Sequence, residues 1–423
     1  MPEKLFIASI CALWFFQLIK PVYGMYLYPF FIFIRPDQWF EDLGNYRLAL
    51  ITAVILLLSS IIRGVKVKQK YILCACLFIV AAFLSIIFSA EATENSWKCF
   101  SDLLKAVCLS LVCLWTIKKR HEFIWFGRWV LLYIAANGAF AFYQIMTKTG
   151  LDESGRSRGF MNDQNDAAGL MATSFALAYY LFKNEKNPLI RLFYGICFFC
   201  IIFGVFGTVS RGGLITMVFS LVLIYRHNIK NIIAMGLIAV LVAGFLFFAK
   251  DLYLARETVT TTMAGKIRFD GSTVKRMDLV ETALKIWADN PIWGIGMGNF
   301  ETAIIDGRRV THNAHNAYLQ ILAEMGGIGF MAFLYILRTF FTGLQKITGT
   351  DPFYRDMALC FRIIILSWMV FFLFAHSYLH AIFWLALAFP FILEKVAADE
   401  MARAPAAGAY TGAAYNRVRR YPA

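Results

Sequence analysis

Residues 188–207 read PLIRLFYGICFFCIIFGVFG. One charge, Arg191, stands near the start, and everything after it is apolar or glycine. A helix needs about 20 mostly apolar residues to cross a hydrocarbon core. A soluble fold has no use for a helix that is apolar on every side. The same pattern recurs along the chain. Twelve spans are expected, at approximately 5–33 (with a break at Pro21 or Pro29), 46–62, 71–89, 99–117, 122–146, 165–182, 188–207, 212–226, 230–249, 314–337, 357–375 and 379–394.

The composition agrees. Of 423 residues 60% are hydrophobic and 16% charged, where soluble domains carry about 25% charged residues. Mean hydropathy is +0.62. A soluble enzyme, a disordered chain and a fibrous repeat are excluded. The fold class is an all-α polytopic membrane protein. The net charge of +14 reads as basic inner loops, and nothing in it points to nucleic acid. With a cytoplasmic N-terminus, the basic loops Arg63–Lys70, Lys118–His121, Lys183–Arg191, Arg226–Lys230 and Arg338–Asp356 all lie inside. The loops Arg35–Arg47 and Ala90–Lys98 are slightly acidic and lie outside. Both termini are then cytoplasmic. The first span is read as retained, not as a cleaved signal.

The organisation follows from these spans: nine helices over 1–249, one large outer loop over 250–313, three further helices over 314–400, and a tail over 401–423 of disordered composition. Inside the loop, VKRMDLVETALKIWADNP is amphipathic. Met277, Val280, Leu284 and Trp287 share one face, and Lys275, Asp278, Glu281 and Lys285 another. Such a helix lies in the membrane interface or caps the bundle. The nine cysteines sit in or beside apolar runs and read as packed thiols, Cys197 and Cys200 included.

Polar chemistry gathers at the outer face. Arg211 in GTVSRGG is flanked by apolar runs, where an arginine needs a partner, an anionic ligand or a route to the headgroups. Gly212 and Gly213 beside it admit a close approach. Arg156 and Arg158 lie in ESGRSRGFMNDQNDAAG. They form either a local salt-bridged loop or an anion clamp, with Asn165 beside them, since arginine forks match phosphate bidentately. Arg276 opens the amphipathic helix. His312 and His315, in THNAHNAYLQILAEMGGIGF, are three apart and would share a face if the helix already runs there. Asn316 follows them. A histidine here serves as a general base or as a structural group. A metal site would need His376 and His380 as further ligands, and no acidic cluster accompanies them; no metal and no cofactor are expected. NPIWGIGMGNF, without a surrounding strand-turn-helix unit, reads as a tight turn bringing backbone amides near the site.

Taken together, RSRGFMNDQNDAAGL, TVSRGG, the run from Arg276 through DNPIWGIGMGNF, and HNAHNAYLQILAEMGGIGF resemble the O-antigen ligase and polymerase superfamily, in order, from about Arg156 to Phe330. With RPDQWF near the start, the chain also resembles the O-glycosylation ligases of that superfamily. The resemblance implies a GT-C-like helical glycosyltransferase of the bacterial inner membrane, with its active site facing the periplasm. The implied donor is an undecaprenyl-diphosphate-linked glycan, and the implied acceptor is a hydroxyl of lipid A core, a protein or another glycan. By motif position, His315 matches the family histidine, and Arg158, Arg211 and Arg276 its arginines. The catalytic set expected is His315, Arg211 and Arg276, with Arg156, Arg158, Asn165, His312 and Asn316 binding substrate.

Three other readings stay open on the residues alone. A polymerase would use the same donor with a lipid-linked glycan as acceptor. A transporter of an anion or a polyprenyl lipid would also use outer arginines, but ionisable residues deep in several spans and an inverted repeat are lacking. A membrane scaffold leaves the clustered His and Arg without a use.

Overall fold

The computed structural model describes residues 2–36, 48–62, 69–90, 92–152, 155–161, 163–226, 236, 271–305, 308–310, 312–345, 347 and 351–403. The expected span at 230–249, the first part of the outer loop and the tail beyond 403 lie outside the described residues. The described residues are helical almost throughout: α1 (Pro2–Ile19), α2 (Pro21–Phe33), α3 (Leu48–Ile62), α4 (Gln69–Ile87), α5 (Glu94–Thr116), α6 (Arg120–Thr147), α7 (Gln164–Thr173), α8 (Phe175–Asn184), α9 (Pro188–Gly207), α10 (Arg211–Tyr225), α11 (Gly271–Asp289), α12 (Ala317–Gln345), α13 (Pro352–Phe371) and α14 (Ala381–Arg403). Among the described residues β1 (Ile304–Ile305) pairs antiparallel with β2 (Arg308–Arg309). Among the described residues, six helices (α4, α5, α6, α9, α12 and α14) are long and apolar enough to cross a membrane.

Several expected spans divide. The first breaks between Ile19 and Pro21, because proline supplies no N–H to continue a helix but suits its first turn. Pro29 is absorbed inside α2. The span at 165–182 divides at Ser174 into α7 and α8. There the Thr173 hydroxyl donates to the Gly169 carbonyl at 2.8 Å and the Ser174 hydroxyl to that of Leu170 at 2.7 Å. Such back-bonding bends helices.

The break in α12 is sharper. Gly326 has φ 63° and ψ −165°, so the helix is interrupted within its second turn pair. In an unbroken helix the carbonyls of Ala323 and Glu324 would accept from Gly327 and Ile328. Instead they accept from the amides of Ile295 at 3.0 Å and Gly296 at 2.9 Å. Gly327 and Ile328 donate to the carbonyls of Pro291 at 2.8 Å and Ile292 at 3.3 Å. The stretch 291–296 therefore takes up the four backbone groups that the break releases. Gly294, Gly296 and Gly298, at φ of 71°, 95° and 79°, supply the left-handed turns that allow it.

Helices approach closely where residues are small, as expected when lipid removes the hydrophobic drive between them. Gly138 of α6 lies against the backbone of Cys200 and Ile201 in α9, and Gly204 faces Gly138 in return. Gly213 of α10 rests on Ala168 of α7, where an added Cβ would come within 2.6 Å of its Cβ. Ser220 of α10 meets Ser367 of α13 at 2.6 Å. Trp368, Phe383, Trp384, Phe372 and Phe333 fill the centre, all buried.

The amphipathic helix α11 forms, but it docks on a different stripe from the one read in the sequence. Ala283 and Ile286 are buried, with Leu279 packed beside them. Met277, Val280 and Leu284 are exposed. The periodicity alone could not choose between two adjacent apolar stripes.

Candidate active site

The segment before α12 is irregular, so His312 and His315 do not share a helical face as the spacing suggested. The Asn316 carboxamide oxygen accepts from the amides of Tyr318 at 3.0 Å and Leu319 at 3.2 Å. It thus caps the helix and fixes its start at Ala317. His315 stands just outside, at φ 49°. A left-handed non-glycine residue costs of order 1 kcal/mol or more and needs surrounding restraint. The restraint is visible. Asn313 donates to Glu301 at 2.6 Å and accepts from Gln320 at 2.7 Å, while Ala314 N–H donates to Gln320 at 3.2 Å.

This backbone turn carries the His315 ring to that of His376, edge to face, with centroids 6.1 Å apart. His376 lies on the turn between α13 and α14. Two neighbours pin that turn. The Ser377 hydroxyl donates to the Asp166 carboxylate of α7, and Tyr378 donates to Glu324 of α12 at 2.9 Å. Glu324 is buried and also accepts from Gln320 at 3.0 Å and from Phe300 N–H at 3.3 Å. His380 Nδ1 accepts from Ile382 N–H at 3.3 Å, and its basicity is lowered by burial, against the pull of Asp166.

Burial pushes the His315 pKa down to about 4, and the cationic reach of His376, Arg276 and His312 adds to it. Arg276 and His312 are therefore electrostatic neighbours of His315. Arg276 lies within α11 rather than at its first residue, since the helix begins at Gly271.

Arg211 is exposed at the first position of α10. Ser210 caps that helix by accepting from Gly213 N–H at 3.3 Å, and Gly212 backs directly onto Phe374, two residues before His376. A helix N-terminus beside an arginine favours an anion. Arg156 is different in kind. It is 5% exposed. Its Nε donates to the Thr208 carbonyl at 3.0 Å and its guanidinium to Asn165 Oδ1 at 3.2 Å. Ser210 donates to the same Asn165 oxygen at 3.2 Å. Arg156 and Asn165 thus join the RSRGF and TVSRGG segments. Arg158 is exposed, its carbonyl accepting from Met161 N–H at 3.0 Å. Asp163 caps α7 through the amides of Asn165 and Asp166 at 2.7 and 3.1 Å; burial, then Asp166, raises its pKa.

A cleft of about 510 Å³ opens beside His376, with Asp166, Glu324, Asn313, Glu301 and Asn95 among its polar lining. A second cavity of about 780 Å³ runs between α2, α3 and α5 and is mostly apolar, with Ala53, Leu57, Leu104 and Val112. The two share Tyr28, Phe31, Ala49, Arg35 and Lys105. An apolar groove therefore meets a polar cleft at two basic side chains. Lys105 is also paired with Asp102 at 2.8 Å. Among the described residues no group of three or more His, Cys, Asp or Glu is arranged to hold a metal ion.

Sequence reasoning passed over Glu324 and Tyr378 as site residues. A carboxylate inside the apolar run of the tenth span was the available signal, because such a group is costly in a membrane and is usually functional.

Residues 196–334 match the family model described as O-Antigen ligase. The matched segment runs from within α9 into α12 and contains Arg211, Arg276, His312 and His315. Arg156, Arg158 and Asn165 precede it. No curated protein matches the chain. The apolar helices and the family together make this a membrane protein.

Proposed function

This chain is a member of the O-antigen ligase superfamily through residues 196–334, and on that premise we propose that it is an inverting, metal-independent glycosyltransferase. It moves a glycan from undecaprenyl diphosphate to an acceptor hydroxyl at the periplasmic face of the bacterial inner membrane. The architecture we propose is a GT-C-like bundle of about twelve spans with both termini cytoplasmic.

The observation that carries the reading is a half-buried histidine beside cationic groups, next to a polar cleft that an apolar groove joins. In the proposed reaction His315 removes the proton from the acceptor hydroxyl. The hydroxyl oxygen forms the new bond to the anomeric carbon, from the side opposite the diphosphate. The bond to the diphosphate oxygen breaks, and undecaprenyl diphosphate leaves with that electron pair. Arg211 and Arg276 hold the diphosphate and stabilise the charge that grows on it; fixed cations in a dry site are commonly the largest catalytic term. Arg158 assists from the exposed loop. Arg156, Asn165 and Asn316 support the site by fixing backbone.

The electrostatics favour ordered action. A pKa of about 4 makes free His315 a weak base. A bound diphosphate offsets the charge of Arg276, which raises the basicity of His315 when the donor is in place. The apolar groove suits the polyprenyl chain and the polar cleft the sugars.

The test supplies purified protein with an undecaprenyl-diphosphate glycan and three acceptors: lipid A core, a Ser/Thr peptide, and a second lipid-linked glycan. A chelator is present throughout. We expect one acceptor to be glycosylated and undecaprenyl diphosphate to be released. Transfer to the lipid-linked glycan alone would mean a polymerase. Movement of solute or lipid across liposomes, without product, would overturn the enzyme reading.

A further inference from the structure

The end of the bundle opposite the candidate site carries a third cavity, of about 640 Å³. Asn95, at the cleft, and Trp115, at this cavity, lie on the same helix, α5, twenty residues apart. At 1.5 Å per residue the two sites are about 30 Å apart, the thickness of a hydrocarbon core. The cavity therefore sits at headgroup depth in the other leaflet.

Its lining is cationic and aromatic. Lys20, Lys118, Lys119 and His121 face it, against one acid, Glu122. That carboxylate is already engaged, accepting from the amides of Lys118 at 2.8 Å and Lys119 at 3.0 Å. None of the four basic side chains is paired with a carboxylate among the described residues. Two neighbouring cations are engaged elsewhere: Arg120 pairs with Asp351 at 2.7 Å, and Lys395 donates to the carbonyls of Leu114 and Ile117 at 2.9 and 3.4 Å. The walls include Trp115 and Trp129, and Tyr26 stacks on Trp129 with centroids 6.3 Å apart. Trp125 at the rim is exposed.

A second, independent observation points to an occupant. The indole Nε1 of Trp115 is buried and has no hydrogen-bond partner among the described residues. Indole N–H is a donor only, and a buried donor without an acceptor costs roughly 1–3 kcal/mol. Trp115 lines this cavity, whose acceptors are already engaged, Glu122 by backbone amides and Ser60 and Thr116 by each other at 3.3 Å, while Lys20, Lys118 and Lys119 add donors, so an incoming anionic oxygen suits the set.

We infer that this cavity binds the headgroup of an anionic phospholipid, with Lys20, Lys118 and Lys119 around the phosphate and Trp115 Nε1 donating to one of its oxygens. A basic aromatic recess between helices at headgroup depth is the chemistry that retains such lipids. Aromatic walls with the exposed Trp125 among them suit a glycerol ester with acyl chains better than a free phosphate ion.

The experiment is native mass spectrometry on protein delipidated in a neutral detergent, with dioleoyl phosphatidylglycerol, dioleoyl phosphatidylcholine or inorganic phosphate added. Phosphatidylglycerol should be retained at least tenfold over phosphatidylcholine. Retention should fall on the order of tenfold in the Lys118→Gln/Lys119→Gln variant. Trp115→Phe keeps the ring and removes only the donor, so it should lower retention severalfold even if the lysine variant misfolds. Equal retention of the two lipids, or unchanged retention in Trp115→Phe, overturns the site. Displacement of phosphatidylglycerol by millimolar phosphate overturns the lipid assignment. None of these outcomes depends on transferase activity.

Discussion

The imidazole of His315 meets that of His376 edge to face at 6.1 Å between ring centroids, although the two are 61 residues apart in sequence. The contact joins the turn before α12 to the turn between α13 and α14. Burial first, and then His376, Arg276 and His312, hold the pKa of His315 at about 4.

A pH dependence follows, and its sign can be worked out. An unfolded histidine charges at about 6.5, whereas His315 in the fold stays neutral to about 4. Between these values the unfolded chain binds more protons, so folding stability falls as pH drops from 6.5 towards 4. The same depression places the acid limb of kcat/KM, which reports the free enzyme, well below 6.5. Arg276→Gln removes a nearby positive charge and should move that limb upward. An acid limb at 6.5 or higher in the wild type would count against the assignment.

Arg156 and Arg158 should behave differently. Arg156 is buried and ties the Thr208 carbonyl to Asn165. Arg156→Ala strips two charged-donor hydrogen bonds and leaves the Thr208 carbonyl without its donor, while Ser210 still donates to Asn165, a loss of roughly 1.5–3 kcal/mol. Arg158 is exposed, and Arg158→Ala should change stability by less than about 0.5 kcal/mol. Thermal unfolding of both variants in detergent measures the contrast. Equal losses would show that Arg156 is not the clamp between these loops.

Gly326 should tolerate no side chain. A Cβ there would overlap the Ile292 carbonyl, and φ is already 63°. Gly326→Ala should destabilise by about 2 kcal/mol or more. It should also disturb Glu324, whose carbonyl accepts from Gly296 N–H at 2.9 Å across the same break. Gly195, by contrast, has open space around its Cβ position, so Gly195→Ala is the matched control. A Tm unchanged in Gly326→Ala would contradict the account of the break.

Much of this was legible in the sequence, and the rest fails for identifiable reasons. Apolar runs announce α4, α5, α6 and α9, because lipid demands length and hydropathy and little else. The division at Ser174 and the break at Gly326 were not legible, since each depends on a hydrogen bond that spacing does not reveal. The Gly326 partner lies some thirty residues earlier, in 291–296. The glycine turn was read as bringing amides near the site; in the fold the amides of Ile295 and Gly296 pair with carbonyls of α12 instead. His312 and His315 were read as sharing a face only if the helix began early; the Asn316 cap starts it at Ala317. His376 was noticed only as a possible metal ligand, and the fold brings it to His315 instead.

The most direct test of the central claim is turnover of undecaprenyl-diphosphate glycan by purified His315→Ala and Arg211→Ala proteins beside the wild type, with chelator present and folding checked by thermal unfolding. The account predicts that loss of the base lowers kcat by roughly 10²- to 10⁴-fold. Loss of a cation at the diphosphate should lower it by roughly 10²- to 10³-fold, with Tm close to wild type in both. Product formed at near wild-type rates by folded His315→Ala would contradict the assignment of His315 as the base that activates the acceptor.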